Sequence, residues 1–390
     1  MEEVTRKLLI VGVGSSACIH VLPRVFAKNP EIFSQNEFMF VDTSDASIRT
    51  AVGRMVSVFQ EYHSAKLRML PERNRTFPVN LFQKRVEENS LYIGGKGAGA
   101  VPENGLSLFE DNQGLVLQKI EGIVDRVERE SDGKKRIEGI IVVGCSGKGT
   151  GTLVTPFIYK LLLDKFPSKG VYPLGFITLP FRFKPGDNAN AKKSIEYIVK
   201  NNVPMFVIDY ENALAAHMHL HGKEPSKESL RTFHEYVAEI LAEVLSTLIE
   251  ALNMVEKCEP PIDFYDLMRL FKIDRHVGTV ALSIADSGID FEKKWKNDIE
   301  TTLMLSTKNP PAKTLGVTIV RAEAGVPLTV VKEIGNYLKT ALKSEEHIVY
   351  ELYYGQQYKM VTLIFGLNPL EIVPEVTPTS RGIIHRLLGL

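Results

Sequence analysis

Cysteine is scarce: three in 390 residues, at Cys18, Cys145 and Cys258. So few, so far apart, exclude a disulfide framework and a CxxC zinc site, and they suit a reducing compartment, so the expected location is the cytoplasm. Net charge is also missing, because 47 Lys and Arg are balanced by 47 Asp and Glu. No overall field draws such a chain to nucleic acid or anionic lipid, and any site for a polyanion must be local. No apolar run reaches membrane-spanning length, so no transmembrane segment is expected. Residues 1–7 run straight into Leu8-Leu9-Ile10-Val11 and then glycine. That run is too short for the apolar core of a signal peptide and reads as a first strand. There is no internal repeat.

What is present is alternation. Short β-branched runs at Leu8–Val13, Phe38–Asp42, Gly139–Val143, Leu174–Leu179 and Pro204–Asp209 are separated by longer helical patterns. This predicts an α/β fold with a mostly parallel, Rossmann-like sheet covered by helices on both faces. After Pro225, a wide apolar stripe through Val237, Leu241, Val244, Leu248 and Leu252, broadened by Ile240, Leu245 and Ile249, predicts a long central helix. It should stop near Pro260-Pro261, which cannot continue it. Strand patterns at Val277–Ile284, Leu315–Arg321, His347–Tyr354 and Met360–Gly366 alternate with helical ones around Phe291–Leu303 and Leu328–Leu342. They predict a C-terminal α+β domain. From Pro374 a Pro/Thr/Ser linker leads to an amphipathic end, Ile383–Leu388.

Three glycine-rich loops carry the chemistry. Gly147-Lys148-Gly149-Thr150-Gly151-Thr152 follows a strand and precedes a helix, an arrangement that aims backbone N–H groups and a helix dipole at an anion, most naturally phosphate. It is not a Walker A loop: Val142 stands where that motif needs glycine, and Gly149 follows the lysine instead of Ser or Thr. A second loop, Gly94 to Gly105, contains Gly97-Ala98-Gly99 and has the same small-residue character. The first, Gly12-Val13-Gly14-Ser15-Ser16-Ala17, fits GxGxxA, with Asp42 ending the next strand. That pair alone also fits a dinucleotide-binding domain whose acid binds ribose, and an NAD-dependent enzyme is the alternative on this reading.

Taken in order, the loops resemble those of the tubulin/FtsZ superfamily. Gly147–Leu153 is similar to its GGGTGTG or GGGTGSG signature, Gly95–Gly105 to its GLGAGANPEVG loop, Val41-Asp42-Thr43 to its VNT, and Thr178–Phe183 to its T-x-P-F-x-F segment. Ile262-Asp263-Phe264-Tyr265-Asp266-Leu267 resembles its NxDFADV synergy loop. The resemblance implies a GTP-binding domain (1–223), a central core helix (224–260), a C-terminal activation domain (261–372) and a tail (373–390). It implies GTP/GDP with Mg²⁺, a head-to-tail homopolymer, and hydrolysis at the subunit interface. Gly14, Ser15, Ser16, Asp42, Gly97, Ala98, Gly99, Gly147, Lys148, Gly149, Thr150, Gly151 and Thr152 would hold the nucleotide. Asn212 and Glu239 would read the base, with Phe233 or Tyr236 stacked on it.

Asp263 and Asp266, three apart at a helix start, would orient the attacking water in the next subunit's site. Read from the residues alone, the same pair also fits an N-cap and a first-turn acid. A nucleotide-bound polymer with little turnover is the second functional alternative.

The chain departs from the family pattern in several places. Ser15, Ser16, Ala17 and Cys18 replace glycines, and Ile19 and Val101 replace asparagines. Lys184-Pro185-Gly186-Asp187-Asn188 stands where FtsZ has its Glu and Arg, and Pro261 replaces the Asn of the synergy loop. The resemblance is therefore to a divergent member, nearer to CetZ-like or atypical archaeal FtsZ-like proteins. His217-Met218-His219-Leu220-His221 would align three imidazoles if extended, but no acid or cysteine completes a metal site, and none is expected. The mixed charges from Asp125 to Arg136 read as a solvated face. The apolar spacing of Ile383–Leu390 would suit an adaptor's groove.

Overall fold

A computed structural model describes residues 5–68, 72–94, 97–222, 230–272, 277–305, 313–341, 343–369 and 372. Packing divides the chain into two units, Met1–Phe176 and Ile177–Leu390. The division falls within a strand and earlier than residue 223, where the sequence reading ends its first domain.

In the first unit β1 (Thr5–Val13) lies between β2 (Glu37–Asp42) and β4 (Lys135–Cys145), parallel to both, and β3 (Leu91–Tyr92) extends the sheet beyond β2. β5 (Tyr172–Leu179) follows β4 in the order and crosses the unit boundary. Leu8–Val11 and Phe38–Val41 are buried throughout, as expected of strands covered on both faces. The covering helices include Asp45–Arg68, Gln113–Glu130 and Thr150–Lys165. The second of these buries Val116, Ile120, Ile123 and Val127, a spacing of four, three and four that keeps one stripe against the sheet. Its last turns carry the mixed charges read as solvated, and Glu128, Arg129 and Glu130 are exposed. Arg126 is the exception: its Nη2 reaches Glu37 Oε2 at 2.9 Å and Asn89 Oδ1 at 2.8 Å, compensating a carboxylate that is only 1% exposed.

The second unit contains β6 (Phe206–Asp209), β7 (Cys258–Glu259), β8 (Val277–Ala285), β9 (Thr314–Arg321), β10 (Ser344–Leu352) and β11 (Tyr358–Leu367). The order is β6-β8-β11-β9-β10-β7. β11 is antiparallel to β8 and β9, β10 is parallel to β9, and β7 is antiparallel to β10, so this part of the sheet is mixed. The long helix is Leu230–Asn253, and every residue of the expected stripe from Val237 to Leu252 is buried. It ends seven residues before Pro260, where a short turn at Val255–Lys257 leads into β7. Two acids on this helix are buried and paired: Glu243 with Lys359 of β11, and Glu250 with Arg321 of β9, the latter at 2.9 Å. The helices Gly288–Thr302 and Leu328–Ala341 share a core of Phe291, Trp295, Ile299, Ile334 and Leu338 with Val320 and Met360 of the sheet.

The expected tail, 373–390, lies outside the described residues, as do Gly95 and Lys96 of the second glycine loop. No described helix is long and apolar enough to cross a membrane.

Candidate functional site

The ends of β1, β2 and β4 in the first unit meet around a cavity of about 240 Å³. Its walls include Gly14, Ser15 and Ser16 from the first loop, Gly97, Ala98 and Gly99 from the second, and Lys148, Gly149, Thr150 and Gly151 from the third, with Asp42 at the end of β2. All three loops predicted from sequence are thus brought to one place. Pockets for whole small ligands usually run from roughly 300 to 1,000 Å³, so this one suits the anionic end of a larger molecule.

Sterics explain the small residues. A Cβ on Gly151 would lie 2.3 Å from the Cys145 carbonyl oxygen, and one on Gly149 would lie 2.5 Å from Ala98 Cβ. Gly14 has φ of +80°, and a Cβ there would sit 2.8 Å from the Gly151 amide nitrogen. Only bare backbone lets the first and third loops approach this closely. The helix Thr150–Lys165 starts at the cavity, and the N–H groups of its first turn have no acceptor within the helix.

Asp42 organises the floor. It is 2% exposed. Its Oδ2 accepts from the Ser15 hydroxyl at 2.8 Å, and its Oδ1 accepts from the Thr43 amide at 2.7 Å and the Thr150 hydroxyl at 3.1 Å. Thr43 and Thr150 share a further hydroxyl contact at 2.6 Å, and Ser15 meets Ser47 at 2.8 Å. One buried carboxylate therefore ties the first loop to the third. This engagement weakens the dinucleotide alternative, in which the acid at this position would be offered to a ribose. Cys18 donates its thiol to the Gly12 carbonyl at 3.1 Å, and burial, reinforced by Asp42, pushes its pKa well up. It is a packed thiol beneath the loop, not a nucleophile.

Two of the predicted glycine-loop residues lie off the cavity wall. Thr152 is fully buried; its hydroxyl donates to the Lys148 carbonyl and accepts from the Gly147 amide, the latter at 3.0 Å. Thr152 and Gly147 thus buckle the third loop from behind. Lys148 lines the cavity and is exposed. Thr43, Ser44, Ala100 and Cys145 also line it and were not among the predicted site residues. Thr43 had a signal in the sequence, because it closes the Val-Asp-Thr triplet.

The remaining candidates belong to the second unit. Asp263 is the N-cap of the short helix Phe264–Met268 and accepts from the Asp266 amide at 2.9 Å, while Asp266 accepts from the Asp263 amide at 3.3 Å. This reciprocal capping box realises the structural half of the sequence reading. Burial, reinforced by the Asp266 carboxylate, pushes the pKa of Tyr350 up. Asn212 stands in the first turn of the helix Tyr210–His221, whose N-cap, Asp209, accepts from the Glu211 and Asn212 amides at 2.9 and 3.2 Å. Glu239 is half-buried on the long helix. Phe233 is 2% exposed and packs edge-on to Phe181, so it belongs to the core, whereas Tyr236 stacks on His217 at 4.2 Å. None of these residues lines the first unit's cavity.

The histidine cluster does not meet the condition of an extended backbone. Residues 217–221 are helical, so the alternation that would align three imidazoles does not apply. The rings of His217 and His221, four apart, lie 4.5 Å from each other at a tilt of 44°, while His219 turns to Asp298 at 2.7 Å, an acid that also accepts from Ser283. The segment Thr178–Phe183 contributes Arg182, buried between Asp209 at 3.0 Å and Glu211 at 3.5 Å. Burial raises the pKa of Glu211 despite the arginine.

No protein-family model matches the chain. Among solved structures it is similar to CetZ2 from Haloferax volcanii, a GTPγS-bound protofilament, with a TM-score of 0.63 and 16% identity over 98% of this chain and 97% of that one. CetZ1 from the same organism, a GDP-bound monomer, gives 0.63 and 14% over 98% and 99%. An empty FtsZ dimer from M. jannaschii gives 0.57 and 12% over 92% and 88%. At such identities the likeness reports the path of the backbone, and it does so from end to end: the chain has the fold of the tubulin/FtsZ superfamily.

Proposed function

We propose that this protein binds GTP and GDP through the glycine-loop cavity and assembles head to tail into protofilaments, hydrolysing GTP where one subunit meets the next. The observation that supports binding most is the convergence of three glycine loops and a helix N-terminus on one cavity too crowded for side chains. The nucleotide-bound and filament states of the similar structures favour guanine nucleotide and self-assembly over a dinucleotide.

In this reading the loop amides and the hydroxyl of Ser16 bind phosphate, Asp42 holds Ser15, Thr43 and Thr150 in position, and Lys148 compensates charge at the rim. Asn212 and Glu239 read the base. Mg²⁺ needs no dedicated protein cage, since it takes phosphate oxygens and water and would neutralise charge on the phosphates. Asp263 and Asp266 present carboxylates to the next subunit's nucleotide and orient water there, a role compatible with capping each other. Functionally, residues 1–223 form the nucleotide domain, 224–260 the central helix and 261–372 the activating domain, a division of tasks that need not follow the packing units. Location in the cytoplasm, and an adaptor for residues 373–390, belong to the same proposal.

The test is sedimentation with GTP or GDP and Mg²⁺, with released phosphate assayed in parallel. Wild type should pellet with GTP and release phosphate more steeply than in proportion to protein concentration. Asp263→Ser and Asp266→Asn keep an acceptor for each capping bond and remove the charge; they should pellet without release. Release undiminished in both variants would remove the acids from the reaction. Absence of GTP binding would overturn the whole reading.

A further inference from the structure

The two ends of β2 serve different cavities. Asp42 closes one end beneath the glycine loops, and Glu37, at the other, lines a second cavity of about 290 Å³ within the first unit. The helices Asp45–Arg68 and Glu72–Asn89 supply most of its wall, with Phe59 and His63 from the first and Pro78, Leu81, Phe82 and Arg85 from the second. The rings of Phe59 and Phe82 stack 4.4 Å apart, 10° from parallel, and both are only half-buried. Leu81, 52% exposed, carries the wall out to solvent.

The polar lining is mostly committed. Asn36 Oδ1 accepts from the Leu8 amide at 2.9 Å, and the Ser34 hydroxyl donates to the Glu31 carbonyl at 3.0 Å. His63 packs its ring 4.3 Å from that of Phe59. Glu37 is 1% exposed, and its Oε2 accepts from Asn89 and Arg126, both at 2.9 Å. Its Oε1 accepts no hydrogen bond among the described residues, since Arg85 Nη1 stands 3.6 Å away and Lys7 Nζ 3.9 Å, both too far. Arg85 Nη2 donates to Glu130 at 3.1 Å, which leaves Nη1 with N–H groups to give. A buried carboxylate oxygen without a donor is costly, and here it adjoins an aromatic wall that is only half covered.

We propose that this cavity binds a small, neutral, planar heteroaromatic molecule whose edge carries an N–H beside an acceptor, as a lactam does. The N–H donates to Glu37 Oε1, the acceptor takes Arg85 Nη1, and the ring lies against Phe59, Phe82 and Leu81. Charge sets the neutrality. Glu37 and Glu130 already face Lys7, Arg85 and Arg126. An added cation would meet Arg85 and an added anion Glu37 Oε1, in both cases partly withdrawn from water. Volume sets the size, because pockets for whole ligands start at roughly 300 Å³, which leaves room here for one fused ring pair and no long chain. A water molecule would answer the oxygen but gain nothing from the aromatic wall.

The probe is a quinazolinone, a neutral fused lactam, titrated into the full-length protein and followed by ligand-observed NMR. It should bind saturably, and its N-methyl derivative, which lacks only the N–H, should bind at least about tenfold more weakly because the Glu37 oxygen is left unanswered. That comparison uses wild-type protein and so does not depend on any variant folding. Arg85→Met should weaken the parent lactam about fivefold or more. Saturating GTP should leave the affinity unchanged, which keeps the outcome separate from that of the nucleotide reading. Binding that never saturates, equal affinity for the two lactams, or an Arg85→Met variant that binds like wild type overturns the proposal. Displacement by GTP also overturns it, placing the ring in the glycine-loop cavity instead.

Discussion

The glycine cradle of the first unit and the acid turn of the second are both short loops at the start of a helix, and both are organised by aspartate. They differ in what their geometry permits. In the cradle, backbone meets backbone, so Gly149 and Gly151 have no room for a Cβ, and Asp42 is enclosed by groups that all donate to it. In the acid turn, Asp263 and Asp266 satisfy each other's amides at a half-buried helix start where other capping residues would fit. The cradle is therefore specified by exclusion, and the acid turn by a local bond that several residue types can make.

Substitutions should separate the two accordingly. The largest effect belongs to Gly151→Val, whose Cβ collides with a backbone carbonyl that cannot retreat; overpacking of this kind costs about 1–3 kcal/mol, and nucleotide binding measured by calorimetry should be abolished. Near-normal affinity would show that the loop is looser than its contacts imply. A comparable loss in the second unit comes from acid. Burial, reinforced by Lys339, lowers the pKa of His347 to about 4 from 6.5. The unfolded chain thus takes up this proton first as pH falls through 6.5, and stability is lost progressively down to pH 4 and no further below it. The size is up to about 3 kcal/mol. A His347→Gln variant should show a flatter melting-temperature profile across that window, and an unchanged slope would rule the histidine out.

Next, Asp42→Ala leaves two hydroxyls and an amide without their shared acceptor at a cost of about 1–3 kcal/mol. It should lower the melting temperature and weaken nucleotide binding together, and a loss of binding with stability intact would make Asp42 a direct ligand. In the acid turn, Asp263→Ala should cost about 1 kcal/mol in denaturant unfolding and Asp263→Ser close to nothing. Equal losses in the two variants would mean that the capping bond is not what the aspartate supplies. Smallest is Lys148→Ala at the exposed rim, which should leave stability within about 0.5 kcal/mol while making nucleotide affinity less sensitive to salt. A large stability change would place that ammonium inside the fold's own bonding.

Legibility in the sequence follows the same division. Strands such as Leu8–Val13, Leu315–Arg321 and Met360–Gly366 were readable because both faces are buried and the runs are mostly apolar, with Thr318 and Thr362 as interior exceptions. The central helix was readable because its stripe is wide. The three loops could be assigned to one cavity because crowding leaves glycine few substitutes. Position within a loop was less legible: nothing in the letters distinguishes Thr150, which reaches Asp42, from Thr152, which turns back to buckle the loop. Pairs such as Leu91–Tyr92 and Cys258–Glu259 are strands only because a neighbour offers an edge, information that no short window holds. The imidazoles at 217–221 suggested alternation only on an extended backbone, and Asp209 had already started a helix there.

The spacing of the two buried acids on the long helix has a mechanical meaning. Glu243 and Glu250 are seven residues apart, two turns along one face, and each engages a different strand. A slide or roll of the helix by even one turn would strip both carboxylates of their cations in a dry interior, at about 3–5 kcal/mol for each broken pair. The helix is keyed to its sheet at two points, like a bolt with two pins. Force applied along its axis is therefore delivered to β9 and β11 as a unit, and is not dissipated by slippage.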